Sequence, residues 1–221
     1  MSAHPSPHPL RVEPGTLAGP RVLPVHPELA DLFPWGGLRR GGTVSVQGSS
    51  GLLLALLAEA SSQGAWTAVV GMPDLGVLAA AEMGMAVERT ALVPRPGGEL
   101  AAVVAALLDG FDLVAVAANR IGDPLARKLS ARARNRGAAL VAVGSWPGAE
   151  VELSVARGRW SGLGVGHGHL SSHRVEVRAR GRGAAARPRR TTFTLRGGTP
   201  LTPPPFEHMF DTTNPAVRRE P

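Results

Sequence analysis

Thr43-Val-Ser-Val-Gln-Gly-Ser-Ser-Gly-Leu-Leu-Leu-Ala-Leu-Leu-Ala-Glu-Ala60 is the stretch that decides the fold of this chain. A short run rich in β-branched residues leads into a Gly/Ser turn, and an apolar helix begins directly after the turn. Strand, glycine-rich loop and helix in this order are the layout of a phosphate-binding loop, whose pattern is G-x-x-x-x-G-K-[ST]. Gly51 is followed by Leu52 and Leu53, where the pattern requires a phosphate-binding lysine and a magnesium-binding hydroxyl. The stretch predicts the architecture of a nucleotide-binding loop without the lysine and the hydroxyl that bind phosphate and magnesium.

Residues 43 to 144 alternate between strand-like and helix-like segments. Continuous apolar runs, which are typical of parallel strands covered on both faces, predict strands at 43–47, 66–71, 90–93, 112–118 and 138–143. The longer segments between them predict helices at 51–62, 75–84, 98–109 and 123–136. Asp123-Pro124 is a good start for the last helix and Gly137 a good end. Alternating strands and helices predict a three-layer α/β fold with a mainly parallel sheet.

After residue 149 polar and apolar residues alternate, which is typical of half-exposed antiparallel strands. The alternation predicts such strands at 151–156, 174–178 and 192–195, continuing the sheet at one edge. We therefore expect a core domain at 27–198, which begins with a short helix between Pro27 and Phe33. A proline-rich extended arm at 1–26 precedes it, and a proline-rich flexible tail at 199–221 follows it.

The composition limits the class of protein. The chain has 221 residues, no cysteine and no apolar run of 18 residues, and its N-terminus lacks the apolar stretch of a signal peptide. These features predict a soluble, cytoplasmic protein without disulfides and without contact to a membrane. The net charge is +7, and Lys128 is the only lysine. Because arginine binds phosphate as a bidentate fork, an arginine-rich chain favours a nucleic-acid partner, although a GC-rich genome gives the same bias.

Arginines cluster in the part of the chain that follows the fourth predicted strand. Beside an aromatic residue, arginine suits single-stranded DNA through phosphate pairing and base stacking. A basic docking surface for an acidic protein and a solvated basic face are the alternatives. The candidate contact residues for DNA or an acidic partner are Arg157, Arg159, Trp160, Arg180, Arg182, Arg187, Arg189 and Arg190.

The sequence offers no catalytic, metal-binding or cofactor-binding residue. His167, His169 and His173 lie close together, but no carboxylate or cysteine stands near them at a recognised ligand spacing. A nucleophile elbow and an H-E-x-x-H pattern are both missing. We therefore interpret the histidines as incidental loop residues.

The order of these pieces resembles the RecA/ImuA group of RecA-like ATPase folds. The similar segments are the glycine-rich lead-in Gly36–Gly42, the Ser49-Ser-Gly51 turn, Gly71–Ala86 and Phe111–Ala117, and the resemblance covers about residues 28 to 180. It implies a RecA-like three-layer sandwich with a mainly parallel sheet and antiparallel edge strands. It also implies a degenerate phosphate loop made of Gly48, Ser49, Ser50, Gly51, Leu52 and Leu53.

Each position that resembles a catalytic position of that family carries an unsuitable residue. Leu52 and Leu53 replace the lysine and the hydroxyl, Ala117 or Ala118 ends the strand that should close with an aspartate, and Gly71-Met-Pro73 replaces an acidic stretch. Asp74 is the only acid nearby and suits a helix cap. Because phosphoryl transfer depends on positioning and charge neutralisation, we expect no ATP hydrolysis. We expect the two leucines to fill the phosphate cradle and to leave only weak anion binding by backbone N–H groups.

Within that group the chain resembles the ImuA-type accessory proteins, in particular their shortened actinobacterial form. The resemblance implies a non-catalytic adaptor in DNA-damage-induced translesion synthesis and mutagenesis, within the SOS response. Its implied partners are an ImuB-like relative of Y-family polymerases and an error-prone replicative-type DNA polymerase assembly, with single-stranded DNA as a further ligand. Phe206, Met209 and Phe210 after the proline run suit a partner-binding motif, or belong to a plainly disordered tail. A SulA-like inhibitor of cell division and a RecA-like ATP-binding protein are the alternatives.

Overall fold

The computed structural model describes residues 21–163 and 168–196. The described residues begin with β1 (Val22–Pro24), α1 (Pro27–Ala30) and β2 (Gly37–Arg39), and β1 and β2 pair as a small antiparallel sheet. Leu23 and Val25, which the sequence placed in the arm, are buried in the core. The end of the predicted arm is thus folded from residue 22 onward.

The central α/β region follows the predicted alternation. Its strands are β3 (Thr43–Gln47), β4 (Thr67–Val70), β5 (Thr90–Val93), β6 (Leu113–Ala117) and β7 (Ala139–Val143). Its helices are α2 (Ser50–Ser62), α3 (Val77–Glu82), α4 (Leu100–Gly110) and α5 (Asp123–Arg136). Gly137 ends α5 in the left-handed conformation, with φ of +71°, as expected of a glycine after the last helical turn.

Three longer strands complete the fold: β8 (Val151–Leu163), β9 (Gly168–Gly181) and β10 (Arg189–Arg196). Within the described ranges they join the central strands in one eight-stranded sheet, in the order β10-β9-β8-β3-β7-β6-β4-β5. The pairs from β8 to β5 are parallel, and β9 and β10 are antiparallel additions at one edge. The prediction of a mainly parallel sheet with antiparallel strands at one edge is confirmed.

Helices cover both faces of the parallel strands, and alternate residues of β4, β6 and β7 belong to two different hydrophobic clusters. On one face α2 and α3 pack with the N-terminal segment, and every residue from Leu52 to Ala58 is buried there. On the other face α4 and α5 pack through residues such as Val104 and Leu129. None of the described helices is long and apolar enough to cross a membrane.

The two edges of the sheet differ in their side chains. At one edge, β5 consists of Thr90, Ala91, Leu92 and Val93 and carries no charged residue, and Leu92 is 40% exposed. At the other edge, β8 pairs with β3 only over Val151–Leu153 and Ser154, so the rest of its hairpin with β9 extends past the carboxyl end of β3. Antiparallel strands such as these can leave one face open to solvent.

Candidate functional site

The glycine-rich turn between β3 and α2 begins with Gly48, whose φ of +83° requires a residue without a side chain. Ser49 caps α2, because its Oγ accepts a hydrogen bond of 3.1 Å from the backbone N–H of Leu52. Gly51 lies against β10, and a Cβ at this position would come within 2.9 Å of Leu195 Cδ1. Sequence and packing together make this a tight strand-to-helix turn.

Leu52 and Leu53 are fully buried in the hydrophobic core. Their side chains lie beneath the turn, and of the two only Leu53 also lines the cleft above it. The expectation was that both leucines fill the phosphate cradle, and in the structure only Leu53 borders the cleft while Leu52 packs in the core. The physical reason is that leucine gains more by packing against the core than by facing a wet cleft.

A cleft of about 790 Å³ opens at the carboxyl ends of the parallel strands. Its walls are the segments that follow β3, β4, β5 and β6. β4 and β6 are neighbours in the sheet, yet β4 leads to α3 on one face and β6 leads to α5 on the other. In open α/β sheets, ligands bind in the crevice outside the strands at such a switch point.

The charged groups that line the cleft are two arginines and one aspartate. Arg95 follows β5, Asn119 and Arg120 follow β6, and Asp74 follows β4, and all four residues are exposed. The sequence reading missed Arg95, Asn119 and Arg120. A signal was available, since a polar residue directly after a parallel strand lies at the edge where ligands bind.

Of the residues that the structure describes, Asp74 is the one carboxylate that lines this cleft. β6 ends at Ala117 and continues with Ala118, so no carboxylate follows it where the cleft begins. Among the described residues, His, Asp and Glu form no group of three that could hold a metal ion. The Arg132 guanidinium lowers the pKa of Asp109 through a hydrogen bond and its charge, but this ion pair joins α4 to α5. The charged side chains that line the described cleft are therefore Arg95, Arg120 and Asp74.

A β-bulge in β8 determines which arginines reach solvent. Val155 pairs with Val177 of β9, whereas Arg157 pairs with Glu176, so Ala156 is the extra residue. Without the bulge, Arg157 and Arg159 would lie on the same side as the buried Val151 and Leu153. With the bulge, both move to the open side of the sheet.

This open side is a surface that we call the arginine face. Its members lie opposite one another across β8, β9 and β10, and each arginine among them is exposed. The arginine face consists of Arg157, Arg159, Arg174, Arg178, Arg180 and Arg190, with Glu152 and Glu176 among them. Arg174 and Arg178 were absent from the predicted contact set, although both alternate with valines in the sequence.

The other predicted contact residues lie elsewhere. Arg189 donates two hydrogen bonds of 3.0 Å to the backbone carbonyls of Asp31 and Phe33, and Arg182 donates to the carbonyl of Gly148. The side chains of these two arginines therefore make hydrogen bonds within the domain. Arg187 is exposed in the turn before β10.

Trp160 lies on the opposite side of the hairpin from the arginine face. It pairs with His173, and their rings stack with centroids 4.1 Å apart and planes within 2° of parallel. Trp160 is 54% exposed. The predicted combination of arginine and aromatic side chains is therefore split between two faces. Phe206, Met209 and Phe210 lie outside the described residues.

The sheet, its helices and the cleft define a mixed α/β domain with a binding crevice at the carboxyl ends of its parallel strands. Residues 31–148 match the model of the MT3502 N-terminal domain, which is more than half of the chain, and the protein belongs to this family. The matched residues include the walls of the cleft and end before β8, so the arginine face lies after them.

The chain is also similar to the uncharacterized protein Rv3395c of Mycobacterium tuberculosis. The two are 40% identical over 129 residues, which cover 56% of this chain and 63% of that protein. The match thus spans slightly less than two thirds of the relative's length.

Proposed function

We propose that this protein is a RecA-like adaptor without catalytic activity that acts as an accessory protein in DNA-damage-induced translesion synthesis. The observation that carries the proposal is the complete burial of Leu52 and Leu53 at the start of α2. A phosphate loop that hydrolyses ATP needs a lysine and a hydroxyl at these positions, both facing the nucleotide. Two leucines in the core supply neither group.

The fold is consistent with this proposal. β3 lies inside the sheet and leads through a glycine turn into α2, helices cover both faces, and antiparallel strands extend one edge. The resemblance to RecA-like proteins implies the same arrangement. Membership of the MT3502 N-terminal domain family and the similarity to Rv3395c are compatible with it.

The partners follow from the resemblance to ImuA-type proteins. We propose that the tail, with Phe206, Met209 and Phe210, binds an ImuB-like relative of Y-family polymerases, and through it an error-prone replicative-type polymerase assembly. An α/β domain followed in the sequence by a segment with apolar residues suits such a role. β10, the last strand that the structure describes, ends next to the start of α2, since a Cβ added at Gly51 would come within 2.9 Å of Leu195 Cδ1.

The absence of turnover is tested by measuring magnesium-dependent ATP hydrolysis by the purified full-length chain. We expect no rate above that of buffer, because no carboxylate or lysine lines the described cleft apart from the exposed Asp74. The matched control is the Arg95→Ala/Arg120→Ala double variant. Hydrolysis by the wild type that disappears in this variant would overturn the proposal.

The adaptor role is tested by capture of a purified ImuB-like protein on the immobilised chain. We expect the full-length chain to retain it and a chain that ends at residue 198 to lose it. The Phe206→Ala/Met209→Ala/Phe210→Ala variant keeps the tail length and should lose capture as well. Equal capture by the chain that ends at residue 198 would contradict the role of the tail.

A second candidate function, ATP binding without hydrolysis, is favoured by the open cleft and its two arginines. Arg95 and Arg120 could pair with phosphate oxygens. Equilibrium binding of a fluorescent ATP analogue, with and without magnesium, separates this candidate from the first. Micromolar affinity that falls at least tenfold in Arg95→Ala/Arg120→Ala would favour it.

A further inference from the structure

We infer that the arginine face binds the sugar–phosphate backbone of nucleic acid, without reading base sequence and without stacking on bases. This inference deepens the proposed function and depends on it for its biological setting. It identifies which arginines make the contact and which predicted residues do not.

The geometry of the face suits a repeating polyanion. Neighbouring strands lie about 4.8 Å apart and residues rise about 3.3 Å along each strand. From Arg174 to Arg180 on β9, the face therefore extends about 20 Å along the strand direction and about 10 Å across three strands. Six guanidinium groups share this area with two carboxylates.

The cross-strand register places Glu152 opposite Arg180 and Glu176 opposite Arg157, but it also places two pairs of like charges opposite each other. Arg159 of β8 faces Arg174 of β9, and Arg190 of β10 faces Arg178 of β9. Like charges directly opposite one another destabilise a sheet. Arg178 donates a 3.0 Å hydrogen bond to Glu176 within β9. In the register of the described strands, Arg159, Arg174 and Arg190 face no acidic residue. A bound anion would relieve this repulsion.

The uncharged residues of the face favour phosphate over a protein partner. Ser154, Thr192 and Thr194 share the face, and no aromatic or large apolar residue occupies its described positions. Protein interfaces have a core enriched in aromatic residues and methionine. Contacts to nucleic-acid phosphates come instead from arginine, serine and threonine side chains.

The position of Trp160 determines whether single-stranded DNA should bind more tightly than duplex DNA. Sequence-tolerant single-strand binders stack bases on aromatic residues next to their basic groove. Trp160 stacks on His173 on the other side of the hairpin, so it cannot contribute to a strand bound on the arginine face. We therefore expect single-stranded and duplex DNA to bind with similar affinity.

The test is fluorescence anisotropy of the full-length chain with a labelled 30-nucleotide oligo(dT) and a 30-base-pair duplex of mixed sequence, between 50 and 200 mM salt. If all six arginines contact phosphates of the duplex, its affinity falls about 10³-fold over this range. In the Arg159→Ala/Arg174→Ala/Arg190→Ala variant the logarithmic salt slope should be about half as steep. Affinity at 50 mM salt should fall at least tenfold.

The matched control is Arg89→Ala/Arg127→Ala/Lys128→Ala, which removes the same charge from parts of the fold outside the arginine face and the cleft. We expect it, and Trp160→Ala, to bind like the wild type. Far-ultraviolet circular dichroism and the urea midpoint verify that every variant is folded. An equal salt slope in the two triple variants would overturn the inference, as would loss of oligo(dT) binding in Trp160→Ala. Binding of poly-glutamate but of neither oligonucleotide would assign the face to an acidic protein.

Failure of this inference is distinguishable from failure of the proposed function. Absence of oligonucleotide binding at 50 mM salt, with capture of the ImuB-like protein retained, overturns the inference and leaves the adaptor standing. Nucleic-acid binding by a chain that also hydrolyses ATP supports the inference and overturns the non-catalytic adaptor.

Discussion

Leu52 stands at a position where a lysine would be expected in a working phosphate loop, and its side chain is fully buried. We predict that Leu52→Lys does not restore a nucleotide site. An unpaired ammonium group among leucines is strongly disfavoured, so the free energy of unfolding should fall by about 3 kcal/mol or more. Urea denaturation measures this loss, and binding of a fluorescent ATP analogue measures the site.

Leu52→Met is the matched control, because this change nearly conserves volume and costs less than about 1.5 kcal/mol. A stable Leu52→Lys variant that binds magnesium and ATP would contradict the burial on which the proposed function depends.

Asp109 links α4 to α5 through Arg132 and Arg136, at 2.5 and 3.0 Å. The hydrogen bond from Arg132 lowers the pKa of Asp109 below its ordinary value of 3.8. A carboxyl whose pKa is lowered by folding stabilises the fold above the ordinary value, and the contribution is lost as the pH falls through the lowered pKa. We predict that Asp109→Asn lowers the melting temperature at pH 6 and not at pH 2.

The melting temperatures of both chains, measured by calorimetry from pH 2 to pH 7, check this. The difference should be modest because the pair is partly exposed to solvent. A difference in melting temperature that stays constant from pH 2 to pH 7 would show that the charge of Asp109 does not contribute to stability.

At the level of elements, α5 is bounded by two glycines with different conformations. Gly137 has φ of +71°, whereas Gly122 before the helix has φ of −73°. We predict that Gly137→Ala costs about 1–2 kcal/mol, because a Cβ is disfavoured in the left-handed region. Gly122→Ala should cost much less, and the two urea midpoints compare them. Equal costs would contradict the left-handed end of α5.

The core elements could be predicted from the sequence because their apolar runs are long enough to show a period. β3, β5 and α5 have the predicted bounds, and α2 begins one residue earlier than predicted. β1 and β2 were missed, since three-residue strands that contain Pro24 and Gly37 show no alternation. Their pairing depends on contacts across the fold.

The turn beside the cleft could be predicted from the sequence, whereas the arginine face could not. The turn from Gly48 to Leu53 is local and was found. The arginine face depends on the bulge at Ala156 and on the register of three strands, and neither leaves a mark in the sequence. For this reason the predicted contact residues include Arg182 and Arg189, which donate to backbone carbonyls outside the arginine face, and omit Arg174 and Arg178, which lie on it.

For the whole molecule, the first described strand, β1, belongs to the core. Leu23 and Val25 are buried, at 3% and 5% exposure. We predict that a chain starting at residue 26 is less stable by about 3 kcal/mol or more than one starting at residue 21, because two apolar side chains lose their burial. Urea midpoints of the two truncated chains measure this, and equal midpoints would contradict it.

The uncharged edge at β5 has a consequence for concentrated solutions. An edge strand with unpaired backbone groups and no lysine or proline can pair with a strand of another chain. Leu92, Val77 and Leu78 add exposed apolar surface. The opposite edge, at β10, carries arginines that repel such a neighbour. Because only one edge of the sheet favours such pairing, self-association should stop at dimers and should not continue into fibrils. Light scattering at rising concentration should detect pairs, and Leu92→Lys should remove them.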